Sequence, residues 1–148
     1  MGDAQSVADA VAAGMYARDR AAQVFGIALD AIEPGGAVCR MTVREDMVQG
    51  HGTCHGGILF TLADTAFAYA CNAYNRVTVA LGAEIAFLAP ARAGEVLTAT
   101  ARERSRAGRT GIYDVEVIDG AGTLVALFRG TSYETRGEVV PFAGPDRA

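Results

Sequence analysis

Residues 50–72 of the chain, GHGTCHGGILFTLADTAFAYACN, join a glycine-rich loop to an apolar helical segment. The first half is small and polar, whereas the second half places one carboxylate, Asp64, among alanine, leucine and phenylalanine side chains. A loop that leads into a helix leaves several backbone N–H groups unpaired at the positive end of the helix dipole. Such a site binds an anion or a polarised carbonyl oxygen, and Asp64 offers a base or a nucleophile. We therefore place the functional site in residues 50–72.

Each half of this stretch also has a purely structural interpretation. The glycines of the loop are Gly50, Gly52, Gly56 and Gly57. They would also serve simply to form a tight loop, because glycine adopts backbone angles that other residues avoid. Asp64 would also be an inward carboxylate that the hydroxyl of Thr61 or Thr65 caps. An unpaired buried charge is costly, however, which favours a cleft or an interface as the position of Asp64.

The composition predicts one domain and excludes some partners. The chain has 148 residues, of which 51% are hydrophobic, so we expect a single domain over residues 1–148 with a sizeable core. The net charge of −4 and the pI of about 5.1 argue against nucleic acid or an anionic membrane as the main partner, because such partners need a basic surface. The sequence has no apolar run near the roughly 18 residues of a membrane span and no signal-peptide pattern. We therefore expect a cytosolic protein.

Periodicity predicts one helix before residues 50–72 and strands on both sides of them. The first helix is predicted over Val7–Val24, with Ser6 as its N-cap, because Val7, Val11 and Met15 recur near helical spacing. The central helix should end near residues 72–75, where polar side chains interrupt the apolar pattern. Strands are predicted over residues 25–33, 38–43, 77–88, 96–106, 110–118 and 123–133.

Turn signals separate these strands and suggest how they pair. Residues 34–36 form a Pro-Gly-Gly turn, and the Asp-Gly pair at 119–120 is a strong hairpin signal. From Glu134 onward, over about 135–148, the chain is predicted to be a loose tail. A helix of about five turns followed by consecutive antiparallel strands indicates an α+β fold, in which a curved sheet packs around the central helix.

Two histidines and a cysteine of the loop raise the question of metal binding. His51 and His55 are four residues apart and Cys54 lies between them, but a glycine-rich loop does not guarantee that their side chains converge as they would on a helix. A nucleophilic Cys54 is a similar minor alternative, since residues that are adjacent in sequence need not have the geometry of a catalytic pair. The spacing of Cys39, Cys54 and Cys71 matches no zinc pattern, so we expect reduced thiols and no metal site.

Arginines alternate along one predicted strand. Arg102, Arg104 and Arg106 have a period of two, which places them on one face of a strand, and Arg109 follows in the next turn. Such a stripe is commonly a solvated surface. The alternative is an anion site that holds a phosphorylated group.

The central motif HGGxLFxLADTAFAxAxN, residues 55–72, resembles the signature of the hotdog-fold acyl-CoA thioesterases, closest to the PaaI-type group of phenylacetic acid degradation. The resemblance continues through IAFLAPARAGEVLTATA (residues 85–101), RTGIYDVEV (109–117) and LVALFRG (124–130). It implies a long helix wrapped by an antiparallel sheet. It also implies that two chains pair their sheets, with active sites at the interface.

The resemblance further implies a role for each residue of the motif. Asp64 is the expected catalytic carboxylate, and the Gly56 N–H is expected to polarise the thioester carbonyl. His55 and Thr65 are expected to support the site. Gln49 stands where the PaaI-type group usually has asparagine, and it is expected to orient water or substrate. The candidate contacts of CoA are Gly57 and, if their stripe is an anion site rather than a solvated surface, Arg102, Arg104, Arg106 and Arg109.

These expectations combine into one function with two alternatives. We expect a thioesterase that hydrolyses phenylacetyl, hydroxyphenylacetyl or related aromatic CoA thioesters to the free acid and CoA, with no cofactor beyond the CoA of its substrate. We expect a homodimer, assembled further into a dimer of dimers. The alternatives are a hotdog acyl-thioester dehydratase or hydratase, and a non-catalytic acyl-CoA-binding module.

Helix geometry gives an independent reason to expect two chains in one site. Gly56 and Asp64 are eight residues apart, so a rise of 1.5 Å per residue separates them by about 12 Å along a helix. One chain cannot bring both groups to one carbonyl. In a two-fold dimer, Gly56 of one subunit would meet Asp64 of the other, because the contact is reciprocal.

Overall fold

The computed structural model describes residues 2–142, which form three helices and one six-stranded sheet. The helices are α1 (Gly2–Arg18), α2 (Arg20–Val24) and α3 (Gly56–Asn72). The strands are β1 (Ala28–Glu33), β2 (Gly36–Thr42), β3 (Thr78–Phe87), β4 (Val96–Ala107), β5 (Thr110–Ile118) and β6 (Leu124–Glu134). A short 3-10 turn, Glu45–Met47, precedes the glycine-rich loop.

The strands lie in the order β1-β2-β4-β5-β6-β3, and every neighbouring pair is antiparallel. Helix α3 contacts all six strands, so the sheet curves around it. The predicted α+β class and the expected hotdog arrangement are confirmed. The hairpin at residues 119–122 is also confirmed: the Asp119 carboxylate accepts hydrogen bonds from the backbone N–H groups of Ala121 and Thr123.

Small residues let α3 lie close to the sheet. Ala66 on α3 is fully buried. On β6, Gly130 lies directly under the ring of Phe67, where an added Cβ would come within 2.8 Å of the ring atoms. The same ring packs against Tyr113 and Phe128, with centroids 5.5 and 5.8 Å apart. Apolar burial along this contact is the main stabilising contribution to the helix–sheet interface.

The N-terminal helix differs from the prediction. Instead of one helix over Val7–Val24 capped by Ser6, α1 begins at Gly2 and the chain breaks before α2. Asp19 makes this break favourable, because its carboxylate accepts the N–H of Ala22 at 3.1 Å and the hydroxyl of Tyr69 at 3.0 Å. The second bond comes from α3, so sequence periodicity near Asp19 carried no sign of it.

The predicted loose tail is held in place as far as the structure describes it. Thr135 donates its N–H to Val77 O at 2.7 Å, and the Arg18 guanidinium donates to Val139 O at 3.2 Å. The side chain of Val140 packs over Gly14 of α1, where a Cβ would overlap it. Residues 135–142 therefore form a strap between α1 and β3. The rest of the predicted tail, residues 143–148, lies outside the described residues.

Strand β3 forms an apolar edge of the sheet. Within residues 2–142 it pairs only with β6, so its other side has no strand partner. The large exposed apolar side chains of β3 and its end are Val79, Leu81, Phe87 and Leu88. An exposed apolar edge strand is a ready surface for pairing with another chain. Among the described residues, no helix is long and apolar enough to cross a membrane.

Candidate active site

The glycine-rich loop is braced by Gln49. Its backbone N–H donates to Thr53 O at 2.9 Å, its side-chain amide donates to Thr53 Oγ1 at 2.7 Å, and its Oε1 accepts the backbone N–H of His51. Two further bonds fix the end of the loop, from Cys54 N–H to Ala91 O and from His55 N–H to Met47 O. The Gln49 amide retains one N–H and one lone pair for a water or a substrate.

The first turn of α3 leaves one donor open. His55 is the N-cap residue, and its Nδ1 accepts the N–H of Gly57 at 2.9 Å, while its carbonyl oxygen accepts the N–H groups of Ile58 and Leu59. The Gly56 N–H has no acceptor among residues 2–142. It therefore remains available at the positive end of the helix dipole.

A cavity of about 390 Å³ opens beside this donor. Its wall contains no charged side chain within the described chain. The lining residues are Gln49, Thr53, Cys54, Gly56, Leu59, Phe87, Leu88, Ala89, Pro90 and Ala91. The cavity therefore suits an apolar group attached to a carbonyl that faces Gly56.

Phe87 is a site residue that the sequence analysis missed. Its ring lies so close to Gly56 that a Cβ on that glycine would meet the ring at 2.9 Å. The sequence carried one signal: Phe87 is two residues from Ile85, so both belong to the helix-facing side of β3. Ile85 packs against the core, whereas Phe87 is 55% exposed beside the cavity. Phe87 thus points to the helix side of the sheet but is not covered by core side chains. An exposed aromatic residue in such a position indicates a binding surface.

Asp64 lies on a partly exposed face of α3, together with Thr61, Thr65 and Ala68. Its carboxylate makes no hydrogen bond or ion pair within residues 2–142. The cap by a neighbouring hydroxyl is therefore not formed: Thr61 Oγ1 donates to Gly57 O at 2.9 Å and Thr65 Oγ1 donates to Thr61 O at 2.6 Å. Partial burial raises the pKa of Asp64 above its ordinary value. An unpaired carboxylate with a raised pKa is a stronger base than an ordinary aspartate.

One chain does not bring the two halves of the predicted site together. Gly56 begins α3 and Asp64 lies about two turns further along the same helix, at a separation of about 12 Å along the axis. Gln49, His55 and Gly57 surround the open donor, whereas Thr65 lies with Asp64. The chain thus offers an oxygen-binding half-site and a carboxylate half-site.

Cys54 and His55 of the loop have other partners. Cys54 is buried, its thiol lies 3.7 Å from His55 O, and burial raises its pKa to about 11. A thiol with that pKa is protonated at neutral pH, which makes it a poor nucleophile. Nδ1 of His55 is occupied by the Gly57 N–H. The described residues contain no group of three or more His, Cys, Asp or Glu side chains placed to hold a metal ion.

The predicted arginine stripe does not share one face, because β4 has a bulge between Glu103 and Ser105. Arg102 and Arg104 border a cavity on the outer face of the sheet. Beyond the bulge, Arg106 turns to the helix side, where its guanidinium lies 3.8 Å from the centre of the Tyr74 ring. The prediction of a single face is therefore wrong.

Glu103, which borders the bulge, is hydrogen-bonded in the core. The inward Glu103 carboxylate accepts the Tyr74 hydroxyl at 2.7 Å and the Tyr113 hydroxyl at 3.3 Å. Arg109 borders a narrow cleft beside Arg106 and Glu134. The four arginines thus divide into an outer pair and a pair at the C-terminal end of α3.

Comparisons with known proteins identify the family of the chain. The family model of the thioesterase superfamily matches residues 51–126, about half of the chain. Acyl-coenzyme A thioesterase PaaI of Escherichia coli K12 is 47% identical over 125 residues, which cover 84% of this chain and 89% of that protein. A putative esterase of Archaeoglobus fulgidus is 33% identical over 127 residues, 86% of this chain and 82% of that protein.

The solved structure of E. coli PaaI, from the phenylacetic acid degradation operon, matches with a TM-score of 0.89 and 46% identity, covering 90% of this chain and 97% of that one. The TT0310 protein of Thermus thermophilus matches with a TM-score of 0.76 and 40% identity, covering 79% and 98%. The chain therefore belongs to the thioesterase superfamily, in its PaaI-type group of hotdog-fold proteins, and is a thioester hydrolase.

Proposed function

We propose that the chain hydrolyses acyl-CoA thioesters, with aryl-acetyl groups as the favoured acyl part. The observation that carries this proposal is the open Gly56 N–H beside an uncharged cavity of about 390 Å³. The relative from E. coli, named as an acyl-coenzyme A thioesterase, supports the same substrate class. The cavity wall supports an apolar acyl group, because a charged or strongly polar one would lose hydration without gaining a partner.

Gly56 is the group that we assign to the carbonyl oxygen. When a thioester carbonyl is attacked, negative charge develops on its oxygen. A preorganised N–H at a helix N-terminus stabilises that charge without reorganisation. The bonds made by His55 hold the first turn in place around this donor, so His55 acts by positioning. Gln49, with one amide N–H to spare, is assigned to orient the water or the thioester.

Asp64 of a second copy completes the site in this proposal. The unpaired edge of β3 provides the surface, and an antiparallel pairing of two such edges about a two-fold axis places each copy in the same relation to the other. The reaction then needs no group beyond the two chains and water. We therefore expect turnover to persist when metal ions are chelated.

The proposed reaction balances with water alone. Asp64 takes a proton from water, the water oxygen forms a bond to the carbonyl carbon, and the C–S bond breaks. The CoA thiolate leaves and takes up a proton, which yields the free acid and CoA. In the alternative course, Asp64 attacks the carbonyl itself and water then hydrolyses the resulting anhydride. Thr65, next to Asp64, is assigned a supporting role in either course.

The CoA end of the substrate is assigned to the arginines at the C-terminal end of α3. Cross-strand register places Thr110 beside Tyr133 and Tyr133 beside Val79, so Arg109 lies near the start of β3. In an antiparallel pair of β3 edges, the start of one strand lies beside the end of the other. Arg109 of one chain would therefore lie on the side of the open Gly56 donor of its partner.

A thiol-release assay with phenylacetyl-CoA tests this function. The unsubstituted protein should release free thiol, and Asp64→Asn should reduce turnover by about 10²–10⁴-fold while the fold and oligomer persist. The matched control is Thr61→Val, which alters the same helix face one turn earlier without removing a carboxylate. Near-normal turnover by Asp64→Asn would remove Asp64 from the mechanism. Hydration of an enoyl thioester without thiol release would instead support the dehydratase alternative.

A further inference from the structure

We infer that Phe87 determines acyl selectivity, by contact between its ring and an aromatic acyl group whose carbonyl oxygen is bound by the Gly56 N–H. This inference rests on the proposed function. It concerns a residue that has no part in the chemistry of hydrolysis. It assigns the preference for aryl over straight-chain acyl groups to one side chain.

The first observation is the contact between Phe87 and Gly56. An ideal Cβ on Gly56 would lie 2.9, 3.3 and 3.4 Å from three atoms at the tip of the Phe87 ring. The ring therefore occupies space that a side chain at position 56 would need, and it lies close to the Gly56 backbone. An acyl group whose carbonyl oxygen accepts the Gly56 N–H would then lie beside this ring.

The second observation is the chemistry of the cavity wall. Phe87 is the aromatic residue among the side chains that line the cavity in the described chain, and the apolar remainder is aliphatic, from Leu59, Leu88, Pro90 and Ala91. An aliphatic wall accepts an alkyl or an aryl group by burial alone. An aromatic ring adds an offset-stacked or edge-to-face contact that only an aryl group can make.

The third observation is the freedom of the ring. Phe87 is 55% exposed, although it belongs to the helix-facing side of β3. Its backbone is fixed by pairing with Ala126, and the next residue donates its N–H to Val125 O at 2.8 Å. In the single chain the ring is therefore exposed at the end of the β3 edge, where an acyl group or the second copy can cover it.

The test compares kcat/KM for phenylacetyl-CoA and hexanoyl-CoA in Phe87→Ala, Phe87→Leu and the unsubstituted protein. An aromatic contact contributes about two- to tenfold, so both variants should lower the aryl-to-alkyl ratio by that factor. Phe87→Leu should retain more of the hexanoyl-CoA activity, because it keeps apolar volume. Leu127→Ala is the matched control: Leu127 is a large exposed residue of β6, outside the cavity wall and not on the β3 edge, and its substitution should leave the ratio unchanged.

A double-mutant cycle tests the same inference by displacing the ring as well as by removing it. Gly56→Ala keeps the N–H but forces the Phe87 ring aside, so it should lower the aryl-to-alkyl ratio. In a Phe87→Ala background the clash is gone, and Gly56→Ala should then change the ratio little. An equal effect of Gly56→Ala in both backgrounds would overturn the inference.

Failure of the inference is distinct from failure of the proposed function. Hydrolysis of both esters with an unchanged ratio in both Phe87 variants overturns the role of Phe87 and leaves the thioesterase intact. A failure of the unsubstituted protein to hydrolyse either ester overturns both.

Discussion

The side chain of Asn75 and the backbone of Val140 exchange two hydrogen bonds, from Asn75 Nδ2 to Val140 O at 2.9 Å and from Val140 N–H to Asn75 Oδ1 at 3.0 Å. Asn75 has a φ of 62°, in the left-handed region that asparagine tolerates better than most residues. One residue thus supplies both the turn after α3 and the attachment of the strap formed by residues 135–142.

Asn75→Ala should lower the free energy of unfolding by about 2–4 kcal/mol, because it loses both hydrogen bonds and because alanine tolerates the left-handed conformation less well than asparagine. Asn75→Gly should cost less, since glycine loses the bonds but not the conformation. Urea unfolding of the two variants measures the difference. Equal losses would show that backbone strain at this position is unimportant.

The pH dependence of stability should report the raised pKa of Asp64. A folded-state pKa above the unfolded value means that the protonated carboxyl is the form the fold favours. The stability that Asp64 contributes is therefore complete below the unfolded pKa of about 3.9 and is lost as the pH rises through the folded pKa. Asparagine is neutral throughout, so Asp64→Asn should have the higher Tm at pH 7.

Because Asp64 is only partly buried, this gain should not exceed about 1 kcal/mol, or about 2–4 °C in Tm. It should shrink towards zero below about pH 4, where both proteins are neutral at this position. Thermal unfolding from pH 3 to pH 8 on the intact oligomer provides the measurement. A lower Tm for the variant at pH 7 would mean that Asp64 has a stabilising cationic partner in the oligomer.

Two inactive variants should restore activity to each other if the site is shared. Asp64→Asn removes the carboxylate, and Gly56→Pro removes the donor N–H. Proline fits this position because it is the first helical residue, and because His55, with ψ of 133°, already has the conformation that precedes proline. Co-refolding at equal amounts makes about half of the dimers hybrids with one intact site each, so about a quarter of the activity should return.

Mass spectrometry of the mixture identifies the hybrids, and circular dichroism of Gly56→Pro alone verifies its fold. The matched control replaces Gly56→Pro by Gly56→Ala in the mixture with Asp64→Asn. This substitution changes the same residue but keeps the donor N–H. Hybrids without activity would refute the shared site.

Arg109 should affect CoA but not the acyl chemistry. Arg109→Gln should raise KM for a full CoA ester by about fivefold with little change in kcat, because an interaction remote from the reacting atoms contributes equally to ground and transition states. A truncated pantetheine thioester should be insensitive to the substitution. Arg102→Gln makes the same charge change on the outer face and serves as the control. Equal effects on the two esters would assign Arg109 to the surface alone.

The elements that the sequence predicted well are those decided by local pattern. The central helix, the Asp119 hairpin and the antiparallel strands follow from side-chain periodicity and turn residues, which act over a few positions. The motif around Gly56 and Asp64 was visible because glycines and a lone carboxylate are conspicuous in an apolar segment.

The remaining features depend on contacts that are distant in sequence. The bulge in β4 lies between Glu103 and Ser105, next to the bonds that Tyr74 and Tyr113 donate to Glu103, and strict alternation could not anticipate the register shift. The break at Asp19 depends on a hydroxyl from α3. The position of Phe87 against Gly56 joins residues 31 positions apart in sequence.

The exposed edge of β3 has a consequence for how the enzyme responds to its own concentration. If half of each site comes from a second chain, the monomer is inactive, and the active dimer forms in a proportion that depends on protein concentration. Specific activity, which is constant for an ordinary monomeric enzyme, should then fall on dilution below the dissociation constant of the dimer. Lysine in place of Leu81, at the centre of that edge, should move this threshold to higher protein concentration. The abundance of the protein, as well as that of its substrate, would then set the rate per chain.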